Sequence, residues 1–269
     1  LLRPVNQMAV GARVGRAAAA LASQEPKLAG VRVTSEPGTA TRPGIIREVA
    51  IDQNIRVEGA RMAESTYGVP VIGEYDVVVV GGGTGGAPAA IAAGRQGART
   101  LLIEYLHGLG GVGTMGYIAT YYHGNCVGFS AEISKGVAAY GGKVREGSWI
   151  PEHKDEWLRS ALRKAKVDVW FGVLGQGVVM DGQKVIGVVV LTPQGRGIVL
   201  AKAGVDSTGN ADIAAAAGAT CRYTDDTDVA VQGTGLPPRD LGQKYVNTDY
   251  TFVDDTDGFD IWRVLVTAK

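Results

Sequence analysis

Three glycines and one acid are the residues best spaced to do chemistry. Gly81, Gly83 and Gly86 stand in VVVVGGGTGG (77–86), and Glu104 closes the next apolar run, TLLIE. Glycine contributes no packing and costs backbone entropy, so a chain that follows four valines with bare backbone must gain something there. In the pattern G-x-G-x-x-G the first glycine permits a tight turn. The second lets a diphosphate approach the main chain, and the third lets helix and strand pack closely. An acid ending the following strand is placed to accept hydrogen bonds from a ribose diol and to repel a 2′-phosphate. The spacing therefore implies a bound dinucleotide, with its diphosphate on the backbone and on the N-terminus of the next helix.

Those residues need a strand, a turn, a helix and a second strand to hold them. Residues 75–80 read as the first strand, 86–96 (GAPAAIAAGRQ) as a helix of small residues, and 100–104 as the second strand. A crossover of that length makes the two strands parallel. Further on, PEHKDEWLRSALRKAK opens on Pro151, a residue tolerated in a first helical turn, and places Trp157, Leu158, Ala161 and Leu162 on one face. Residues 168–173, 177–180 and 184–192 read as strands, with turn signals at MDGQ and PQGR. A run at 197–202 leads into GVDSTGNADIAAAAGA, read as a last strand, loop and helix. The fold class expected is α/β, a Rossmann-like domain with a parallel sheet, interrupted by a small antiparallel meander. Ahead of it, residues 2–23 read as an alanine-rich helix and SEPGTATRPG (35–44) as an exposed loop, while 45–73 carry no clear pattern.

Composition narrows the classes. The 27 basic and 27 acidic side chains cancel, so no net field recruits nucleic acid or an anionic membrane. No apolar run approaches the ~20 residues of a membrane span. Two cysteines, Cys126 and Cys221, make neither a disulfide framework nor a zinc site. DTDG (255–258) lacks the third acidic ligand and the closing glutamate of a calcium loop and reads as a solvated acidic turn. The expectation is a soluble, cytoplasmic protein with no metal, no nucleic acid and no membrane span.

The loop after Glu104 separates the dinucleotides. An NAD enzyme would continue with further strand–helix pairs, whereas this chain continues with a second glycine-rich loop, YLHGLGGVGTMGYIATYYHGN, and much later with DSTGNAD. GGVGTMG (110–116) and VDSTGNADIAAAAGA (205–219) resemble the matching stretches of the FAD-dependent oxidoreductases, flavoproteins of the glutathione-reductase-like, two-dinucleotide-binding-domain kind. Asn210 stands where that family commonly has aspartate. The helix and meander between them follow the same pattern, so the resemblance covers about residues 74–220. It implies non-covalently bound FAD, with its diphosphate on Gly81, Gly83 and Gly86 and its ribose on Glu104. It also implies that Gly111, Thr114 and Met115 lie along the ribityl and isoalloxazine side and that Gly177 and Val178 touch adenine through main chain. Ser207, Thr208, Gly209 and Asp212 would close the site, although Asp212 also reads simply as an acid in a first helical turn. The N-terminal stretch RPVNQMAVGARVGRAAAALA resembles the family's closing helix, in which a Met–Gly–Gly–Ala pattern meets the FAD. Here it precedes the glycine loop, and the reading preferred is a chance likeness that alanine richness makes easy, over a position just downstream of another flavoprotein-like unit.

The activity implied is hydride transfer from a small organic substrate to the flavin. The residues do not choose among an alcohol, an amine and a C–C bond, and the polar, aromatic loop TYYHGN suits a hydroxylated substrate such as a sugar. His123 and Asn125, in the aromatic loop TYYHGN, are the candidate catalytic residues, set against a structural role for a histidine in such a loop. Three stretches are expected: an N-terminal helix and linker (1–73), an FAD-binding domain (74–220) and the start of a substrate or partner domain (221–269). The last is too short for a substrate domain plus the return to the flavin. The chain therefore reads as the FAD-binding part of a larger enzyme, joined by a second polypeptide or the rest of the same one, and as oligomeric. The alternatives are a non-catalytic FAD-binding subunit and an NAD-dependent dehydrogenase.

Overall fold

The computed structural model describes residues 4–25, 42–49, 68–121, 126–141, 148–221, 258–259 and 262. Leu1–Cys221 forms one compact unit and Arg222–Lys269 a second. The sheet, its helices and the cleft all belong to the first. His123, Asn125 and residues 255–257 of the acidic turn lie outside the described residues.

Seven strands make one sheet in the order β1-β5-β6-β7-β2-β3-β4. They are β1 (Ile45–Glu48), β2 (Val71–Val80), β3 (Thr100–Glu104), β4 (Asp168–Phe171), β5 (Leu174–Asp181), β6 (Lys184–Thr192) and β7 (Gly195–Asp206). On one side of the sheet β7, β2, β3 and β4 run parallel. On the other, β5, β6 and β7 form an antiparallel meander, with β1 antiparallel on its outer edge. The α/β class and the parallel strands are as the sequence predicts. The meander, however, is not an insertion beside the sheet. The two runs read as separate, 197–202 and the strand before DSTG, are one twelve-residue strand, β7, which belongs to both halves.

Val77 and Val79 point to one side of β2, Val78 and Val80 to the other, and all four are buried as the central position of the strand requires. Val77 and Val79 join the core under helices α1 (Pro4–Gln24), α2 (Gly86–Arg95), α3 (Phe129–Ala138) and α4 (Pro151–Lys164). Val78 and Val80 join the opposite core, which takes in the meander valines and Ile213 of the short α5 (Asp212–Ala216). Among the described residues no helix is long and apolar enough to cross a membrane.

The small residues of α2 have a structural cause that the sequence left open. Helix α1 lies against it so closely that a Cβ on Gly11 would sit 2.1 Å from the Gly85 carbonyl oxygen, and one on Gly15 would sit 1.9 Å from that of Ala89. Ala12, Ala18, Ala19 and Ala22 of α1 and Ala87, Ala89, Ala90 and Ala93 of α2 are buried. Two helices lined with small side chains bring their backbones together, and each then fills what would otherwise be a void.

Candidate active site: an open cleft over the glycine loop

The carboxyl ends of β2 and β7 meet at the glycine loop. Gly81 donates its N–H to the Ile103 carbonyl (2.8 Å) and Ser207 donates to Val80 (2.8 Å), so the turn is tied to β3 on one side and β7 on the other. Gly81 turns with φ +94°, a conformation glycine adopts without strain. A Cβ there would fall 2.2 Å from the Ser207 carbonyl oxygen, and one on Gly86 would fall 1.8 Å from that of Gly81. Those two glycines are bare because backbone fills the space. Gly83 differs: a Cβ there would meet nothing nearer than the Gly111 Cα at 3.9 Å. It faces a cleft of about 890 Å³, within the range of cofactor pockets.

The cleft brings together Gly81, Gly83, Glu104, Gly111, Ser207, Thr208, Gly209 and Asp212. Gly86 stands directly behind Gly81 and opens α2 toward it. The second glycine loop is stitched to the first, with Gly110 N–H donating to the Gly82 carbonyl (2.9 Å) and the Thr84 hydroxyl to that of Gly110 (3.3 Å). Glu104 is only 9 % exposed. Its two carboxylate oxygens accept from the Gly82 and Leu106 N–H groups, at 2.6 Å each. A carboxylate has about four acceptor positions, so Glu104 keeps capacity for a ligand diol.

Four expected residues stand elsewhere. Thr114 is buried, and its hydroxyl is turned onto the carbonyls of Leu109 and Gly111, so it holds the loop and does not line the cleft. Met115 is half-exposed outside it. Gly177 pairs with Glu48 of β1, where a Cβ would strike the Arg47 carbonyl at 2.2 Å, and Val178 is fully buried in the core. The wall on that side of the cleft is Val173, Leu174 and Gly175, at the start of β5.

Two sets of residues escape the sequence reading. Asp206, the last residue of β7, shapes the DSTGNAD loop: Oδ1 accepts from the Thr208 N–H (2.9 Å) and hydroxyl (2.8 Å), and Oδ2 accepts from Ala214 N–H (2.7 Å). Its signal is its position ahead of the Ser–Thr–Gly turn, where a short acid satisfies free N–H groups. The other set is on α1. Gln7, Val10, Gly11 and Val14 line the cleft, so the alanine-rich helix that precedes the glycine loop in sequence sits on it. The contact has a physical basis: Gly11 and Gly15 are spaced to admit the backbone of the glycine loop and of α2.

A family model for FAD-dependent oxidoreductases matches residues 76–257, more than half of the chain. The chain belongs to the FAD-dependent oxidoreductase family. The family is defined by its use of FAD, the cofactor that the two glycine loops imply. Solved structures similar to this flavoprotein include a geranylgeranyl bacteriochlorophyll reductase-like protein from Thermoplasma acidophilum, at 24 % identity and TM-score 0.42, over 54 % of this chain and 42 % of that one. Another is THI4 from Thermovibrio ammonificans, at 24 % and 0.42, over 61 % and 67 %. A third is the myxobacterial chondrochloren halogenase CndH, at 20 % and 0.42, over 54 % and 40 %. The chain spans about two fifths of the length of the first and third of these and about two thirds of the second.

Proposed function

We propose that this chain is the FAD-binding part of an enzyme that takes hydride from a small, hydroxylated organic substrate. When bound, FAD supplies an acceptor for a hydride. The chain's own residues supply the seat. Gly81, Gly83 and Gly86 with the first turn of α2 would hold the diphosphate through free N–H groups and the helix dipole. Glu104 would hold the ribose through its remaining acceptor positions. The loop Asp206–Ser207–Thr208–Gly209, with Asp212, would close the cleft on the β7 side, and Gln7, Val10 and Gly11 on the α1 side. The observation that carries the reading is the contrast at Gly83: its side-chain position is empty toward the cleft, whereas those of Gly81 and Gly86 are closed by backbone.

Tyr105, Leu106, Val112, Met115, Tyr117 and Ile118, beside the second glycine loop, are exposed, with Tyr117 at 71 %. A run of exposed apolar side chains at a cofactor cleft fits an interface with a second polypeptide or the remainder of the enzyme. That part would bring the substrate groups. The aromatic loop TYYHGN, with His123 and Asn125 as candidate proton-handling residues, suits a hydroxylated substrate.

Purification tests the reading directly. The wild-type chain should carry flavin absorbance that anaerobic mixing with sugars or hydroxy acids bleaches, and it should elute larger than a 28.0 kDa monomer. A flavin-saturated monomer would refute the partner. Flavin left oxidised by every sugar and hydroxy acid offered would refute the substrate class.

A further inference from the structure

Lys154 is the one charged residue that α4 sends into the core. It is 2 % exposed, and among the described residues no carboxylate pairs with it. Its Nζ lies 3.9 Å from the ring centre of Trp149 and 5.2 Å from that of Tyr121. Ammonium groups are drawn to such ring faces. The cage is not remote from the cofactor cleft. Trp149 donates its indole N–H to the Gly113 carbonyl (2.7 Å), and a Cβ on Gly113 would lie 2.6 Å from the lysine Nζ. Gly111 of the same 3₁₀ turn lies against the phosphate loop, its side-chain position 3.1 Å from the Gly83 Cα. One short turn, Gly111–Gly113, thus has the cleft on one side and a buried amine on the other.

We propose that Lys154 is a positioning residue that braces the Gly111–Gly113 turn and lends its positive charge to the cleft, so that FAD is held more tightly when this lysine is protonated. This rests on the assignment of the diphosphate to Gly83. Burial pushes the amine down to about 7, while the Cys126 thiol nearby acts in the opposite sense. The ring faces of Trp149 and Tyr121 also favour the charged form, so the charge changes within the physiological range. Of the other groups around it, Tyr121 is pushed up, first by its own burial and then by Cys126, and so stays neutral. The neighbours on α4 are occupied elsewhere: Asp155 binds the Leu109 N–H and Arg159, Glu152 accepts from Tyr117, and His153 lies against Tyr140. On α3, Glu132 is paired with Arg95. An anionic diphosphate favours the ammonium, and by linkage FAD binding draws a proton onto the lysine.

The test is FAD titration of the apo form of the full chain by flavin fluorescence between about pH 6 and pH 9, with calorimetry near pH 7 in buffers of different ionisation enthalpy. Wild type should lose affinity about three- to tenfold as pH rises through that window, and should take up part of a proton on binding. Lys154→Met should be pH-independent and as weak as wild type at high pH, with no proton uptake. Lys154→Arg, always charged, should keep its affinity at high pH and also take up no proton. Wild type that binds FAD with a flat profile and no proton uptake overturns the proposal even if no variant folds. So does uptake that persists in Lys154→Met, which would belong to another group. Absence of FAD binding at every pH overturns this proposal and the diphosphate site together.

Discussion

Glycine does opposite work in two neighbouring regions of this molecule. In the seam between α1 and α2, and at Gly81 and Gly86, the missing side chain makes room for the protein's own backbone. At Gly83, two residues before the seam begins at Gly85, it leaves an opening into the cleft. Sequence spacing alone gives both the same letter. The difference teaches that a glycine motif specifies two things at once, a scaffold that must close and a gap that must stay open, and that mutation can separate them.

The largest effect is expected where backbone fills the gap. Gly86→Ala drives a methyl into the Gly81 carbonyl and forces β2 and α2 apart. It should lose about 3 kcal/mol or more of stability, with the flavin, measured by denaturant unfolding. A stable, yellow Gly86→Ala would show that strand and helix do not meet as described. Gly83→Val should give the opposite pattern: flavin retention falls about a hundredfold, equivalent to about 2.7 kcal/mol, while the apo chain melts as wild type does. Retained flavin in that variant would move the diphosphate elsewhere.

Glu104→Gln sharpens the boundary between the two roles, because the acid both orders the loop and faces the cleft. Losing one acceptor for the Gly82 or Leu106 N–H should cost about 1–3 kcal/mol and weaken FAD as well. A change in FAD affinity with no change in unfolding would make Glu104 purely a ligand contact.

A smaller effect separates charge from packing at Lys154. Its amine is lowered from 10.5 to about 7 in the fold. Between those two values the unfolded chain binds the proton and the folded chain does not, so this group makes stability rise with pH across that window. The slope is at most about 1.4 kcal/mol per pH unit. It should vanish in Lys154→Met, followed by urea unfolding at several pH values, and an unchanged slope would assign the titration to another residue. Smallest of all is the pair between Arg95 of α2 and Glu132 of α3, whose side chains are each 43 % exposed. Glu132→Gln should cost no more than about 1 kcal/mol, and a larger loss would mean that this contact, and not the buried faces, holds α3 in place.

The strand–loop–helix–strand from β2 to β3 is legible in the sequence because each signal in it is local: apolar runs, a glycine turn, a terminal acid. Residues 100–104 match β3 to the residue, and the predicted α2 runs one residue past Arg95. The seat of α1 is not legible, since an alanine-rich helix carries no mark of its partner. Only the paired small residues at Gly11, Gly15, Gly85 and Ala89 specify the contact. Strand β7 reads as two runs because Ala201, Ala203 and Gly204 weaken its apolar pattern, yet its pairing with β2 carries through from Tyr75 opposite Ala201 to Val80 opposite Asp206. Lys154 escapes any reading that follows apolar residues alone. Its position four residues before Leu158 and seven before Ala161 puts it on the buried stripe, and helical periodicity applied to every residue type finds it.

Because β7 pairs with β6 beside it and with β2 far behind it, Val71 meeting Ile198, it also orders events in time. Local hairpins form quickly, whereas a pairing across so long a stretch of chain must first overcome the entropy of closing a large loop. During synthesis β2 keeps one edge unpaired until the whole meander has emerged, and the cleft wall that Ser207 forms beside Gly81 is completed only when β7 pairs with β2. Pulse-labelled hydrogen exchange during refolding should therefore protect the amides shared by β5 and β6 before those shared by β2 and β7.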